Sequence, residues 1–187
     1  MKITIISDIH DNVWNLSAAL EVAKDAEALI CCGDLCAPFI VDLIALAMPG
    51  KPVHIVFGNN DGDPRRITDK TLTYPNVHVH GEFFQSDPAS EFDGKRFAVN
   101  HYDAIALPIA RSGEFDVVCF GHNHRYQVEH FGRTLAINPG AIMGYDGVRR
   151  IDIPATFVVY DTLNDEAKSF RIESTLESTA RKAVLLI

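Results

Sequence analysis

Short apolar runs in this chain repeatedly end in aspartate, asparagine or histidine. Residues 2–7 run into Asp8 and His10 of "SDIH", residues 28–32 into Asp34 of "CGD", and residues 53–57 into Asn59, Asn60 and Asp61 of "GNND". Further on, "VNHYD" supplies His101 and "GHNH" supplies His122 and His124. Asp8, His10, Asp34, Asn59, His101, His122 and His124 are all oxygen or imidazole donors, with no thiolate required. Mixed sets of this kind suit Mn, Fe, Zn or Ni, whereas all-oxygen sets suit Mg or Ca. Seven donors exceed what one ion takes in ordinary geometry, and they fit two ions about 4 Å apart that share a carboxylate. Each fragment alone is ordinary: Asp-x-His recurs by chance, Gly-Asp after a strand is usually a turn, and a Gly-His-x-His pair can sit on a surface. Their order and their shared position after apolar runs single them out.

Those runs are the elements that must hold the donors. Residues 2–7, 28–32 and 53–57 are short and apolar, as strands buried on both faces are. Between the first two, Asn12 is placed to cap a helix in which Val13, Leu16, Leu20 and Ala23 recur at helical spacing. Residues 38–47 form a second helix, closed by Pro49-Gly50. This alternation predicts a parallel α/β sheet with right-handed crossovers, whose strand C-termini form the ligand crevice.

The second half reads as more antiparallel. Asp93-Gly94, within residues 92–101, has the composition of a two-residue hairpin turn. Residues 104–111 read as a short helix and 116–120 as another buried strand. Residues 126–131 and 134–137 form a hairpin around Gly132, and 156–161 pair with 168–172. From Glu173 onward, Leu176, Ala180 and Ala183 fit either an amphipathic helix or a frayed terminus. With no repeat, low-complexity tract or linker, residues 1–187 are expected to form one domain.

Composition excludes several classes of function. The formal charge of −8 argues against non-specific nucleic-acid or anionic-membrane binding. A small anionic substrate remains open, because bound divalent cations invert the local field. The first apolar run is too short for a signal peptide, and "FIVDLIALAMPG" is interrupted by Asp42 and stopped by Pro49, so no membrane span is expected. Cys31, Cys32, Cys36 and Cys119 have neither a zinc-site spacing nor the density of a disulfide scaffold. Reduced thiols and a cytoplasmic location follow as expectations, and a homo-oligomer is left open.

"DIH", "GD", "GNND", the single His101 and "GHNH", in this order, resemble the calcineurin-like metallophosphoesterase superfamily. The chain length and "NPGA" at residues 138–141 resemble its small bacterial and archaeal phosphodiesterase branch. The resemblance implies an α/β fold, a four-layer αββα sandwich with two mixed β-sheets flanked by helices. It implies one metal held by Asp8, His10, Asp34 and His124, and another held by Asp34, Asn59, His101 and His122, with Asp34 bridging. The implied cofactors are two divalent ions, Mn foremost and Ni, Fe or Zn as alternatives. The implied reaction is hydrolysis of a small phosphodiester by a metal-bridging hydroxide.

One position departs from many members. Asn60 stands where they carry a His that contacts the phosphate and helps the leaving group depart; the small branch often lacks that His as well. An amide donates a hydrogen bond but transfers no proton at neutral pH, which favours diesters over monoesters. Asp61 either orients Asn60 or caps the next turn, so both residues are counted with the catalytic group. The alternatives are a phosphomonoesterase on the same site and a non-catalytic scaffold of the same fold, which the full donor set disfavours.

The other reactive side chains have plainer readings. His54 is expected as a hydrogen-bonded core residue, His78 and His80 on an exposed strand face, and His130 in a hairpin. Cys32 and Cys36 flank Asp34 and read as structural thiols unless one approaches the metals. Arg65, Arg66 and Arg111 read as surface charges, with contact to a second phosphate or a nucleotide as the alternative. Trp14 and Tyr102 read as packing residues, with the border of a substrate base as the alternative.

Overall fold

The computed structural model describes residues 1–174 and 180–186. The first half alternates strand β1 (Lys2–Ile6), helix α1 (Val13–Ala23), β2 (Ala28–Cys31), α2 (Phe39–Ala47), β3 (Val53–Ile55), α3 (Pro64–Asp69) and β4 (Val77–Val79). β1 to β4 pair side by side in parallel. The caps are those the residue types favour. The Asn12 side chain accepts the Asn15 N–H at the start of α1, and Asp63 accepts the Arg66 N–H ahead of Pro64 in α3.

The chain then builds a second sheet from β5 (Phe83–Gln85), β6 (Phe97–Asn100), β7 (Val117–Cys119), β8 (Gln127–Phe131) and β9 (Thr134–Asn138), with α4 (Asp103–Ser112) between β6 and β7. Their order is β5-β6-β7-β9-β8, parallel across β6, β7 and β9 and antiparallel at both edges. After a small hairpin of β10 (Tyr145–Asp146) and β11 (Ile151–Asp152), β12 (Ala155–Asp161), β13 (Glu166–Ser174) and β14 (Arg181–Leu185) extend the first sheet as β14-β13-β12-β1-β2-β3-β4.

Side-chain alternation explains the layers. On β2, Leu29 and Cys31 face α1 and α2, whereas Ala28 and Ile30 face the second sheet. On β7, Val117 and Cys119 meet the first sheet while Val118 faces α4. Strands with both faces buried must be apolar at every position, which is why these segments show no alternating pattern. The result is helices, sheet, sheet and helix, the expected αββα sandwich with two mixed sheets. No described helix is long and apolar enough to cross a membrane.

Several expectations are corrected. Asp93-Gly94 is not a two-residue hairpin: it lies in a 3-10 turn, Phe92–Gly94, within the long connection between β5 and β6. Asp93 adopts the required positive φ of 54°, but its carboxylate takes the amino terminus of Met1, a tertiary contact. The tail is not helical over residues 181–185: they form β14, paired antiparallel with β13. Leu176 lies outside the described residues. Trp14 is not a packing residue, being 67% exposed. His80 is half-buried rather than exposed, because its ring lies against Phe84 and its Nε2 hydrogen-bonds with Nδ1 of buried His54 at 3.1 Å.

Candidate active site

The loops after β1, β2, β3, β6 and β7 meet on one edge of the sandwich, and the predicted donors ride on them. Main-chain bonds tie the loops together. Asp8 N–H donates to Gly33 O, His10 N–H to Asp34 O, and Gly121 N–H to His101 O. Asp8, His10, Asp34, His122 and His124 all have φ between 43° and 69°. Left-handed backbone at non-glycine residues is uncommon and costs free energy, and such conformations gather where side-chain placement matters more than local stability. Glycine is required where two loops touch. A Cβ on Gly58 would sit 2.2 Å from Asp34 Oδ1, and one on Gly121 would sit 2.5 Å from Asp8 Oδ2.

Each histidine is fixed by the partner of its other nitrogen. His101 Nδ1 donates to the Cys32 carbonyl at 2.8 Å, and His124 Nδ1 donates to the Tyr145 carbonyl at 2.8 Å. Carbonyls only accept, so the Nε2 lone pairs of both rings face the site. His10 Nδ1 lies 3.5 Å from Cys36 Sγ, which likewise leaves Nε2 inward. Cys36 is therefore the thiol that approaches the donors, whereas the Cys32 side chain is buried between the sheets. Burial pushes the Cys36 thiol up to about 12, so it meets His10 as a neutral group.

Donors face donors across the site. Asp34 Oδ2 lies 3.5 Å from His10 Nε2 and 3.5 Å from His101 Nε2. Asn59 Oδ1 lies 3.2 Å from His101 Nε2 and 2.8 Å from His122 Nδ1. Asp8 Oδ1 lies 3.3 Å from His124 Nε2, yet neither it nor His10 Nε2 has a hydrogen-bond partner, although both atoms are buried. Lone pairs gathered this closely need protons or cations between them, and the donor types fit divalent metals. Asp8, His10 and His124 form one group of ligand atoms, and Asp8, Asp34 and His101 another.

Electrostatics agree with the crowding. Burial alone would raise the Asp34 carboxyl, but the adjacent His101 imidazole and hydrogen bonds from Asn60 outweigh it and hold the group ionised well below the usual carboxylate range. Burial lowers the His10 imidazole despite Asp34 and Asp8. The Asp8 carboxylate raises His124. His101 is also raised: burial opposes its charge, but Asp34 and Asp8 prevail.

Asn60 and Asp61 do different work. Asn60 donates both its backbone N–H and its Nδ2 to Asp34, at 2.7 and 2.8 Å. Asp61 neither orients the Asn60 side chain nor caps α3, whose cap is Asp63. Its carboxylate accepts the backbone N–H groups of Gly58, Asp34 and Cys36, stapling the loops after β2 and β3. Tyr102 stands edge-on to His101 and His122. Arg111 lies over the Phe131 ring, away from the donors, and Arg65 and Arg66 are exposed on α3.

His10, Asp34, Asn59, His122 and His124 form the floor of a cavity of about 640 Å³, which Met143, Arg125 and Arg149 help to wall. The sequence reading missed this wall. Its one local signal was "YDGVRR", a turn in which Asp146 accepts the N–H groups of Val148 and Arg149.

A family model described as the calcineurin-like phosphoesterase superfamily domain matches residues 1–165. The chain is 29% identical over 176 residues to phosphodiesterase MJ0936 of Methanocaldococcus jannaschii, covering 91% of this chain and 97% of that protein. Among solved structures, an archaeal phosphodiesterase matches with a TM-score of 0.78 at 27% identity, over 91% of this chain and 99% of the other. Vps29 of Chaetomium thermophilum shares the fold at a TM-score of 0.66 and 14% identity, over 99% of this chain and 95% of that one. Since the family match covers the first 165 residues and with them every donor from Asp8 to His124, the chain belongs to the calcineurin-like phosphoesterase superfamily.

Proposed function

We propose that this phosphoric ester hydrolase is a phosphodiesterase for small substrates that works with two divalent cations, Mn²⁺ foremost and Ni²⁺, Fe²⁺ or Zn²⁺ as alternatives. The observation that carries this reading is the place of Asp34 Oδ2, 3.5 Å from the inward nitrogens of both His10 and His101. Asp8, His10, Asp34 and His124 would hold one ion, and Asp34, Asn59, His101 and His122 the other. Bound there, divalent cations lower the pKa of water and neutralise charge on the phosphate oxygens.

The chain's own residues supply position. The carbonyls of Cys32 and Tyr145 hold His101 and His124 in the tautomer that turns Nε2 inward. Asp61 keeps the loops carrying Asp34 and Asn59 at a fixed separation. Asn60 lines the same cavity and offers an amide N–H to a phosphate oxygen, with no proton to give the leaving group. That limit favours diesters whose leaving group is a stable anion. The Methanocaldococcus relative, a phosphodiesterase by name, supports the same class.

Purified protein with added Mn²⁺ or Ni²⁺ is expected to hydrolyse bis(p-nitrophenyl) phosphate. Asp34→Ala is expected to lose both ions by elemental analysis and at least about a hundredfold in rate. A folded protein that turns over no diester with any divalent ion would reject the proposal.

A further inference from the structure

The cavity has two ends of different chemistry. Its floor is nearly closed: the Asp34 side chain is 2% exposed and His124 14%. Its rim is open and carries Arg125 and Arg149, the latter 56% exposed. Both arginines are tied to the floor through His124. Arg125 is the next residue, and its N–H donates to Asn123 Oδ1 at 2.9 Å. Arg149 sits at the tip of the β10–β11 hairpin, which begins at Tyr145, the residue whose carbonyl receives His124 Nδ1–H. Two cationic side chains on separate segments are thus held against one cavity in a chain of formal charge −8.

The acidic groups of the same wall are already engaged. Asp103 accepts Asn123 Nδ2 at 2.9 Å, and Asp146 accepts the N–H groups of Val148 and Arg149 at 3.0 and 2.9 Å. Arg149 Nε keeps only a 3.7 Å contact with Asp146, and Arg125 makes no side-chain ion pair among the described residues. The scissile diester carries a single negative charge, and the floor would neutralise it. The rim arginines have no role in that task. Guanidinium groups recognise phosphate oxygens with paired N–H donors, and an exposed pair at a cavity mouth fits a second phosphate on the ester arm that points outward.

We infer that Arg125 and Arg149 form a subsite for a second phosphate group, so that the substrate is a phosphodiester bearing a further terminal phosphate rather than one with neutral arms. The inference rests on the phosphodiesterase reading and extends it to the substrate class.

Two esters with the same leaving group test it: the 5′-p-nitrophenyl ester of thymidine 5′-monophosphate and the same ester of thymidine 3′,5′-bisphosphate. The wild-type protein with Mn²⁺ is expected to show at least about a tenfold higher kcat/KM for the bisphosphate ester. The Arg125→Ala/Arg149→Ala variant is expected to bring that ratio close to one, with circular dichroism confirming its fold. A wild-type ratio near one, or an unchanged ratio in the double variant, overturns the inference while leaving phosphodiesterase activity established. Calorimetry separates the two readings further. Thymidine 3′,5′-bisphosphate should bind the wild-type protein at least about tenfold more tightly than the 5′-monophosphate, and the double variant should lose the difference. If neither ester nor bis(p-nitrophenyl) phosphate is hydrolysed with any divalent ion, the phosphodiesterase reading fails, and the calorimetric difference alone then decides the subsite.

Discussion

At the scale of single residues, the site is defined less by which donors are present than by what holds each one. His101, His124 and His10 each use one ring nitrogen on a carbonyl or a thiol, which leaves the other aimed at Asp34 or Asp8. Asn60 marks the chemistry most narrowly, since it sits against Asp34 and can donate but not protonate. Asn60→His is expected to raise kcat/KM for phenyl phosphate relative to p-nitrophenyl phosphate by about tenfold, because general-acid help matters most for the poorer leaving group. An unchanged ratio would show that departure of the leaving group does not depend on this position. The residue types were legible in the sequence. The anchoring carbonyls of Cys32 and Tyr145 were not, because every residue carries a carbonyl and only the folded chain selects two of them.

At the scale of elements, strand ends and the loops that follow them carry the function, and their close approach is bought with glycine. Gly121→Ala would place a Cβ 1.9 Å from Ser7 Oγ and 2.5 Å from Asp8 Oδ2. It is expected to destabilise the fold by about 1–3 kcal/mol and to weaken metal binding as well. A variant with wild-type melting and wild-type affinity for Mn²⁺ by calorimetry would contradict the contact.

The junction of β3, β4 and β5 makes a separate prediction. Burial, reinforced by His80 and His78, pushes the His54 imidazole down to about 3, and burial with His78 pushes His80 down to about 4. Glu91 Oε1 lies 4.0 Å from His54 Nε2. An unfolded histidine takes up its proton near pH 6.5, whereas these stay neutral in the fold until about pH 3–4. The unfolded state therefore binds more protons as pH falls below 6.5, and stability falls with it. The slope is at most about 1.4 kcal/mol per pH unit for each fully buried imidazole, and less for half-buried His80. Between pH 7.5 and 5.5, urea unfolding should show the wild type losing about 1 kcal/mol more than His54→Gln. Equal losses would mean that His54 is not the source.

At the scale of the whole molecule, the two sheets are brought face to face by a core that includes Ile3, Ile5 and Ile30 from one side and Phe97, Val117 and Ile137 from the other. Donors on loops after both sheets can then converge only in the folded state. Divalent ions that bind native but not unfolded chain must stabilise it by mass action, by about 2.7 kcal/mol at a hundredfold excess over Kd. Addition of Mn²⁺ should raise Tm by several degrees in the wild type and not in Asp34→Ala, as read by scanning calorimetry. A Tm insensitive to every divalent ion would favour the non-catalytic scaffold.

The sequence by itself determined the candidate donors and the strand-helix alternation of the first half, because buried strands must be continuously apolar and donors cluster where such strands end, while the αββα class came from the resemblance that the motifs carry. Asp93-Gly94 shows the limit of local signals. Its composition suits a tight turn and its φ is positive, yet the connection is long and Asp93 binds the amino terminus. Residues 181–185 show the same limit, since helical spacing yielded to an unpaired edge of β13 that could accept another strand. Only the tertiary structure decided that Asp34 stands between two imidazoles, that Asp61 staples loops and that Arg125 and Arg149 share a rim. Each of these facts is a distance between residues far apart in the chain, and no local pattern encodes such a distance.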